Sequence, residues 1–218
     1  MIWNPPAGSR KRREEMVRTQ IERRGVRDER VLEAMRSVPR EVYAGVENIE
    51  SAFRDGPLQI GCGQTISQPY IVAYMTEMLA IEPKDRVLEI GTGCGYQTAV
   101  LAELAAEVYT IEIIEELART AEIRLREQMY ANVRFRTGDG SLGWIEAAPF
   151  DAIMVTAAPE RTPDALVAQL ADGGRMIAPV GSYEQHLLLV TKRGERIERR
   201  ELIGVRFVPM TGRIREEP

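Results

Sequence analysis

Histidine and cysteine are almost missing from this chain, which has one histidine, His186, and two cysteines, Cys62 and Cys94, in 218 residues. A site built from clustered His and Cys ligands cannot be assembled, and no metal site is expected, although the count leaves open a metal held by carboxylates alone. A serine triad would have His186 as its only base, and no G-x-S-x-G elbow supplies the nucleophile. No apolar run approaches the roughly 18 residues of a membrane span. Arg10-Lys11-Arg12-Arg13 stands where a signal peptide needs an apolar stretch, so a soluble, unsecreted, cytoplasmic protein is expected. In that setting both cysteines are expected as free thiols. Charge of one sign is scarce too. With 29 basic against 33 acidic residues the net charge is −4, and neither nucleic acid nor membrane is an expected partner.

What is present is an ordinary globular composition, 44% hydrophobic and 28% charged, in a length that suits one large domain. Residues 10 to 36 carry short helical stripes broken at Gly25, with Asp28 as an N-cap, and read as two helices. Nine Lys or Arg stand against five Asp or Glu between Arg10 and Arg30, which reads as a solvated face with interleaved acids in preference to a nucleic-acid patch. An irregular, Gly- and Pro-containing stretch from Val38 to Gly63 has the length of a functional loop. It leads into Thr65-Ile66-Ser67-Gln68-Pro69-Tyr70 and a helix. Ser67 sits where an N-cap would sit, so a capping role and a catalytic role are both open.

From Arg86 the texture becomes alternating. Strands are expected at residues 86–90, 108–112, 133–136, 150–155 and 175–180, and helices at 96–106, 115–129 and 163–170, the last closed by Gly173-Gly174. Residues 186–192 and 199–209 read as strands with no helix between them. The pattern predicts an α/β fold of Rossmann-like type: a doubly wound, mostly parallel sheet with helices on both faces and an antiparallel hairpin at its C-terminal edge. Residues 1–80 are expected to form a helical extension with the active-site loop, and residues 81–218 the cofactor-binding domain.

Ligands of such sheets lie beyond the carboxyl ends of the strands. Gly91, Gly93 and Gly95 form a tight loop after the strand at 86–90, but Tyr96 occupies the position where a G-x-G-x-x-G dinucleotide fingerprint needs glycine. Glu89 would repel a phosphate and suits a ligand carrying an ammonium. Glu112 ends the next strand, placed to accept hydrogen bonds from both hydroxyls of a ribose. Asp139-Gly140 follows the third strand, placed for the amine of an adenine. The three acids in order point to S-adenosyl-L-methionine, which has a sulfonium and an ammonium and no phosphate. His186 reads as a structural or edge residue, and Trp3 and Trp144 as packing residues. Tyr70 and Tyr96 lie near the inferred site.

The segments Thr65 to Tyr70, Val87-Leu88-Glu89-Ile90-Gly91-Thr92-Gly93-Cys94-Gly95-Tyr96, Gly138-Asp139-Gly140, Pro149 to Ile153 and Val155-Thr156-Ala157-Ala158-Pro159 resemble the protein-L-isoaspartate O-methyltransferase family. Gly173-Gly174-Arg175 and Val208-Pro209-Met210-Thr211 extend the resemblance, which covers about Arg18 to Thr211. The glycine loop is common to many methyltransferases, whereas Ile66-Ser67-Gln68-Pro69 is far more discriminating. The resemblance implies methyl transfer from S-adenosyl-L-methionine to the free α-carboxylate of an L-isoaspartyl residue in a damaged protein or peptide. The ester then collapses to a succinimide whose hydrolysis partly restores aspartate. It also implies that Ser67 positions the reacting carboxylate. Thr65, Ile66, Glu89, Gly91, Thr92, Gly93, Gly95, Glu112, Ile113, Asp139, Gly140 and Thr211 would bind the cofactor, and Val208 would join Ser67 at the substrate. The partners implied are isoaspartyl proteins and peptides, and a monomer is expected.

Composition and chemistry agree. A carboxylate has a pKa near 4 and arrives ionised, so the nucleophile needs no general base, and what remains is alignment at roughly 3 Å. Two other readings stand beside this one. The same fold could methylate RNA or a small molecule, or it could bind the cofactor without turnover.

Overall fold

The computed structural model describes residues 8–45 and 50–212; Trp3 lies outside them. Strands β1 (Leu58–Gly61) and β2 (Gln64–Ile66) form a small antiparallel hairpin. The main sheet contains β3 (Arg86–Ile90), β4 (Glu107–Glu112), β5 (Val133–Thr137), β6 (Phe150–Val155), β7 (Leu170–Val180), β8 (Gln185–Arg193) and β9 (Arg196–Val205), in the order β5-β4-β3-β6-β7-β8-β9. Pairings from β5 through β7 are parallel; those of β8 with β7 and with β9 are antiparallel. The expected doubly wound sheet with its edge hairpin is thus present. The chain winds from β3 outward to β5, then crosses back to β6 on the other side of β3. The switch point falls at the carboxyl ends of β3 and β6, where Ile90 pairs with both Ile111 and Val155.

Strand alternation sorts the core into two layers. Val87, Ala152, Met154 and Ile177 face the layer of α4 (Pro69–Leu79), α5 (Tyr96–Ala102) and the N-terminal helices. Leu88, Ile90, Ile153, Val155 and Met176 face the layer containing Leu166 and Val167 of α7 (Asp164–Ala168). Helix α6 (Glu115–Glu127) follows β4 and turns Leu117, Ala121 and Leu125 inward. No helix among the described residues is long and apolar enough to cross a membrane.

The N-terminal segment behaves as read. Helix α1 (Ser9–Met16) continues through a π turn and a 3₁₀ turn to Gly25, whose φ of 102° ends it. Helix α2 (Glu29–Ser37) starts at Asp28, which accepts a hydrogen bond from the Arg30 amide at 2.9 Å. The basic residues of the N-terminal segment are largely neutralised in place: Arg10 pairs with Glu14, Arg18 with Glu15, Arg24 with Asp55, and Arg13 with the buried Glu41 of α3 (Arg40–Ala44).

The stretch expected to be irregular at 38–63 contains α3 and β1, and the helices expected at 115–129 and 163–170 end early, at Glu127 and Ala168. Four further differences each have a local reason. Helix α4 begins after Gln68, with Pro69 as its first residue, so Ser67 is not its cap. Helix α5 stops at Ala102, because Asn132 donates to the carbonyls of Ala102 and Ala105, although Leu104 and Ala105 stay buried and prolong the apolar pattern. Gly173-Gly174 does not close a helix but sits in an irregular stretch of β7, where Phe150 pairs with Leu170 and Ala152 with Arg175. Strand β9 ends at Val205. The following chain runs beside the end of β6, with the Ala158 amide donating to Val208 and the Met210 amide to Ala158.

Candidate active site

The glycine loop lies at the switch point. Gly91, Gly93 and Gly95 have φ of 97°, 56° and 90°, a region that other residues rarely adopt. At Gly91 the space is also closed, because a Cβ would overlap the Thr156 hydroxyl, which donates to the Gly91 carbonyl at 2.7 Å. Gly95 packs against Ala121 and Leu125 and shapes the loop without lining the cavity.

Glu112, 6% exposed, organises the loop. Its Oε2 accepts from the Gly93 amide at 2.8 Å and its Oε1 from the Ile114 amide at 2.9 Å. One lone pair of each oxygen is used in this way, and the carboxylate stays on the cavity wall with Ile90, Ile113 and Gly140. Gly140 fits tightly over Ile90, since a Cβ there would lie 2.5 Å from Cγ2. Thr65, Ile66 and Ser67 from the end of β2, Thr92 from the loop, and Val208 and Thr211 from the C-terminal run complete the cavity.

Two acids sit differently from the sequence reading. Glu89 does not line the cavity. The pleat that turns Leu88 and Ile90 to one layer turns Glu89 to the other, where it is fully buried and its Oε2 accepts from Thr98 and Thr110 at 2.5 and 2.7 Å. Burial pushes its pKa up to about 8 against the opposing hydroxyl bonds, with the Glu112 charge adding to the rise. At neutral pH it is a protonated residue beneath the loop and not an anion facing an ammonium. Asp139 is half-buried and caps the turn Gly140–Leu142, its Oδ1 accepting from the Ser141 amide. Gly140, not Asp139, forms the wall.

The raised pKa of Glu89 has a measurable consequence. The folded state holds a proton that the unfolded chain releases near pH 4.5, so stability falls as pH rises from about 4.5 to about 8 and levels off above that. Glu89→Gln is expected to match the parent in melting temperature near pH 4.5 and to melt higher at pH 9, where it is more stable by on the order of a few kcal/mol. Parallel melting profiles across that range would rule out the buried proton.

A second, open cleft adjoins the first. Arg24, Tyr70, Tyr183, His186 and Arg206 line it. His186 is not at the sheet edge: it sits on β8 between Val180 of β7 and Gly204 of β9, and it also faces the cleft. Five residues line both spaces: Thr65, Ser67, Thr156, Phe207 and Val208. None has a side chain that titrates near neutral pH, and the Ser67 hydroxyl makes no hydrogen bond among the described residues. Thr156 and Phe207 were not singled out in the sequence. Thr156 directly follows β6, a strand end at the switch point, which is the signal that could have found it.

Among the described residues, the cavity wall includes one carboxylate and no Lys or Arg. Such a lining disfavours phosphate and fits a cationic nucleoside, with Glu112 for hydroxyls and Ile90, Ile113 and Gly140 for a flat heterocycle. Comparison with known proteins agrees. A sequence profile of the family described as Protein-L-isoaspartate(D-aspartate) O-methyltransferase (PCMT) matches residues 11–215. The chain belongs to this family. A protein-L-isoaspartate O-methyltransferase of Picosynechococcus is 52% identical over 92% of this chain and 90% of its own length. One from Opitutus terrae is 54% identical over 94% and 88%. Among solved structures, a protein-L-isoaspartate O-methyltransferase superposes with a TM-score of 0.83 at 27% identity, over 93% of this chain and 67% of its own. A Plasmodium falciparum beta-aspartate methyltransferase (PCMT) in complex with S-adenosyl-L-homocysteine gives 0.81 at 26% identity, over 91% and 98%.

Within this family frame, the buried Cys94 is a small residue of the loop, and Cys62 is exposed at the β1–β2 turn. Both are free thiols, as expected. Tyr96 lines the cavity at the glycine loop and Tyr70 the open cleft. Trp144 packs edge-on against Tyr109 at 5.4 Å between ring centroids, a packing residue as expected.

Proposed function

We propose that this chain methylates the free α-carboxylate of L-isoaspartyl residues in proteins and peptides, the first step of their repair through a succinimide. The observation that carries the reading is the junction of the two spaces, where the shared residues offer hydrogen bonds and shape but no general base. Such a junction suits a nucleophile that is already ionised. Family membership over residues 11–215 supports the substrate class.

When bound, S-adenosyl-L-methionine supplies an electrophilic methyl group whose transfer to a carboxylate oxygen leaves neutral S-adenosyl-L-homocysteine. The residues that hold it are Glu112, accepting from the ribose hydroxyls with its remaining lone pairs, and the loop at Gly91, Thr92 and Gly93. Ile113 and Gly140 flank the adenine, and Asp139 frames its edge through the turn that it caps. Thr65, Ile66 and Thr211 close the cavity from above. Glu89 acts through the loop it underlies. Ser67 donates to the carboxylate oxygen that does not attack, and Val208 contacts the substrate backbone. Residues 81–218 form the cofactor domain in this reading, and residues 1–80 the extension that carries Ser67. The enzyme works as a cytoplasmic monomer on flexible isoaspartyl segments, without nucleic acid or membrane; the net charge of −4 and the paired N-terminal arginines support that view.

The test is chromatographic. An isoaspartyl peptide incubated with S-adenosyl-L-methionine is expected to pass through a succinimide and to yield the aspartyl isomer over repeated cycles. Ser67→Ala should slow this by about 10- to 100-fold, the worth of one hydrogen bond to a charged group. Its affinity for S-adenosyl-L-homocysteine should stay at the parental value. Affinity that falls in step with turnover would remove Ser67 from the substrate and return it to a structural role.

A further inference from the structure

Arg40 has no exposed surface, and no carboxylate among the described residues lies within ion-pair distance of it. Its neighbour Glu41 is committed to Arg13. Instead, its Nε donates to the Ala52 carbonyl at 2.8 Å and its Nη2 to the Ser67 carbonyl at 2.8 Å. The guanidinium also lies over the ring of Tyr96, 4.9 Å from the centroid, and among the described residues Nη1 is buried without a hydrogen-bond acceptor. Burying a cation without an anion disfavours folding, and an apolar side chain of similar volume would cost less. The residue therefore serves something other than stability. Its rigid fork joins a turn before β1 to the one peptide that carries Ser67, and it rests on the first residue after the glycine loop. Lysine, with a point charge on a flexible stem, cannot make that planar, two-carbonyl tie.

We propose that Arg40 is a positioning residue for the methyl transfer: its fork fixes the Ser67 peptide, and through it the Ser67 hydroxyl, at the junction of the cofactor cavity and the substrate cleft. The inference rests on the orienting role of Ser67 given above.

Arg40→Met and Arg40→Lys separate fork, charge and fold. Arg40→Met, in which relief of the buried charge offsets the loss of two carbonyl partners, is expected to melt within about 5 °C of the parent and to bind S-adenosyl-L-homocysteine equally well, yet to lose about tenfold in kcat on an isoaspartyl peptide. Arg40→Lys, which keeps an amine donor on a flexible stem but loses the planar fork, should lose kcat as well. In a Ser67→Ala background the same Arg40→Met change should cost less than about twofold, because its route to the substrate is already cut. Full turnover in Arg40→Lys would overturn the proposal. So would kcat losses that multiply with Ser67→Ala, or melting temperature and cofactor affinity falling together with kcat. Failure of both variants to fold would assign Arg40 to the fold and overturn it too. If Ser67→Ala alone leaves kcat unchanged, the orienting role of Ser67 fails first and the proposal goes with it, an outcome distinct from impaired Ser67→Ala with an independent Arg40.

Discussion

Glu112→Ala is expected to weaken S-adenosyl-L-homocysteine binding by about two to three orders of magnitude, measured by titration calorimetry, in a protein that remains folded. The carboxylate does two jobs with one group. It accepts the amides of Gly93 and Ile114, holding the loop and the start of α6 in place, and it faces the cavity with its other lone pairs. Hydrogen bonds to an ionised group contribute roughly 1.5–3 kcal/mol each, and every 1.4 kcal/mol is about tenfold in affinity. Loss of loop order and of two ribose contacts therefore reaches the range stated even after partial compensation by water. Glu112→Gln is the sharper control. Its amide nitrogen would oppose either the Gly93 or the Ile114 amide, donor against donor, so it should recover less than half of the lost free energy. An unchanged affinity in either variant would place the ribose elsewhere.

The second large effect is expected at Gly91. A β-carbon there meets the Thr156 hydroxyl in closed space, on a backbone at φ 97°. Relief requires either lifting the loop or breaking the hydrogen bonds from Thr156 to the Ile90 and Gly91 carbonyls, and both lie at the switch point. With strain of roughly 1–2 kcal/mol from the backbone and 1–3 from overpacking, Gly91→Ala should lower the melting temperature by about 5–15 °C. Turnover should fall with it, because the displaced loop is the cofactor wall. Adding Thr156→Ala removes the clashing oxygen and should restore part of the lost stability, leaving the backbone strain. A double variant as unstable as the sum of the two single changes would mean that the contact is not the cause.

The sheet was readable because its strands alternate or run fully apolar and its helices carry clear stripes. The glycine loop and Glu112 were readable because strand ends at a switch point are few. Glu89 departs from the sequence expectation through pleat phase. Its place two residues before the loop suggested the cavity, but the run Val87-Leu88-Glu89-Ile90 is buried on both faces, so a carboxylate inside it points into protein. The partners that accommodate it there, Thr98 and Thr110, come from α5 and β4 and have no sequence signature. Arg40 and Ser67 are 27 residues apart and meet only through the fold. Gly173-Gly174 carried the mark of a helix end, while pairing with Phe150 and Ala152 drew the segment into β7. Tertiary pairing outweighed local preference in that case.

This site is expected to methylate isoaspartyl carboxylates and to leave ordinary aspartyl ones alone. The most direct test uses S-adenosyl-L-methionine labelled in the methyl group and two peptides of one sequence, differing only in L-isoaspartate against L-aspartate. Base-labile label is expected on the isoaspartyl peptide alone. Equal labelling of both peptides, or label on neither, would contradict the account.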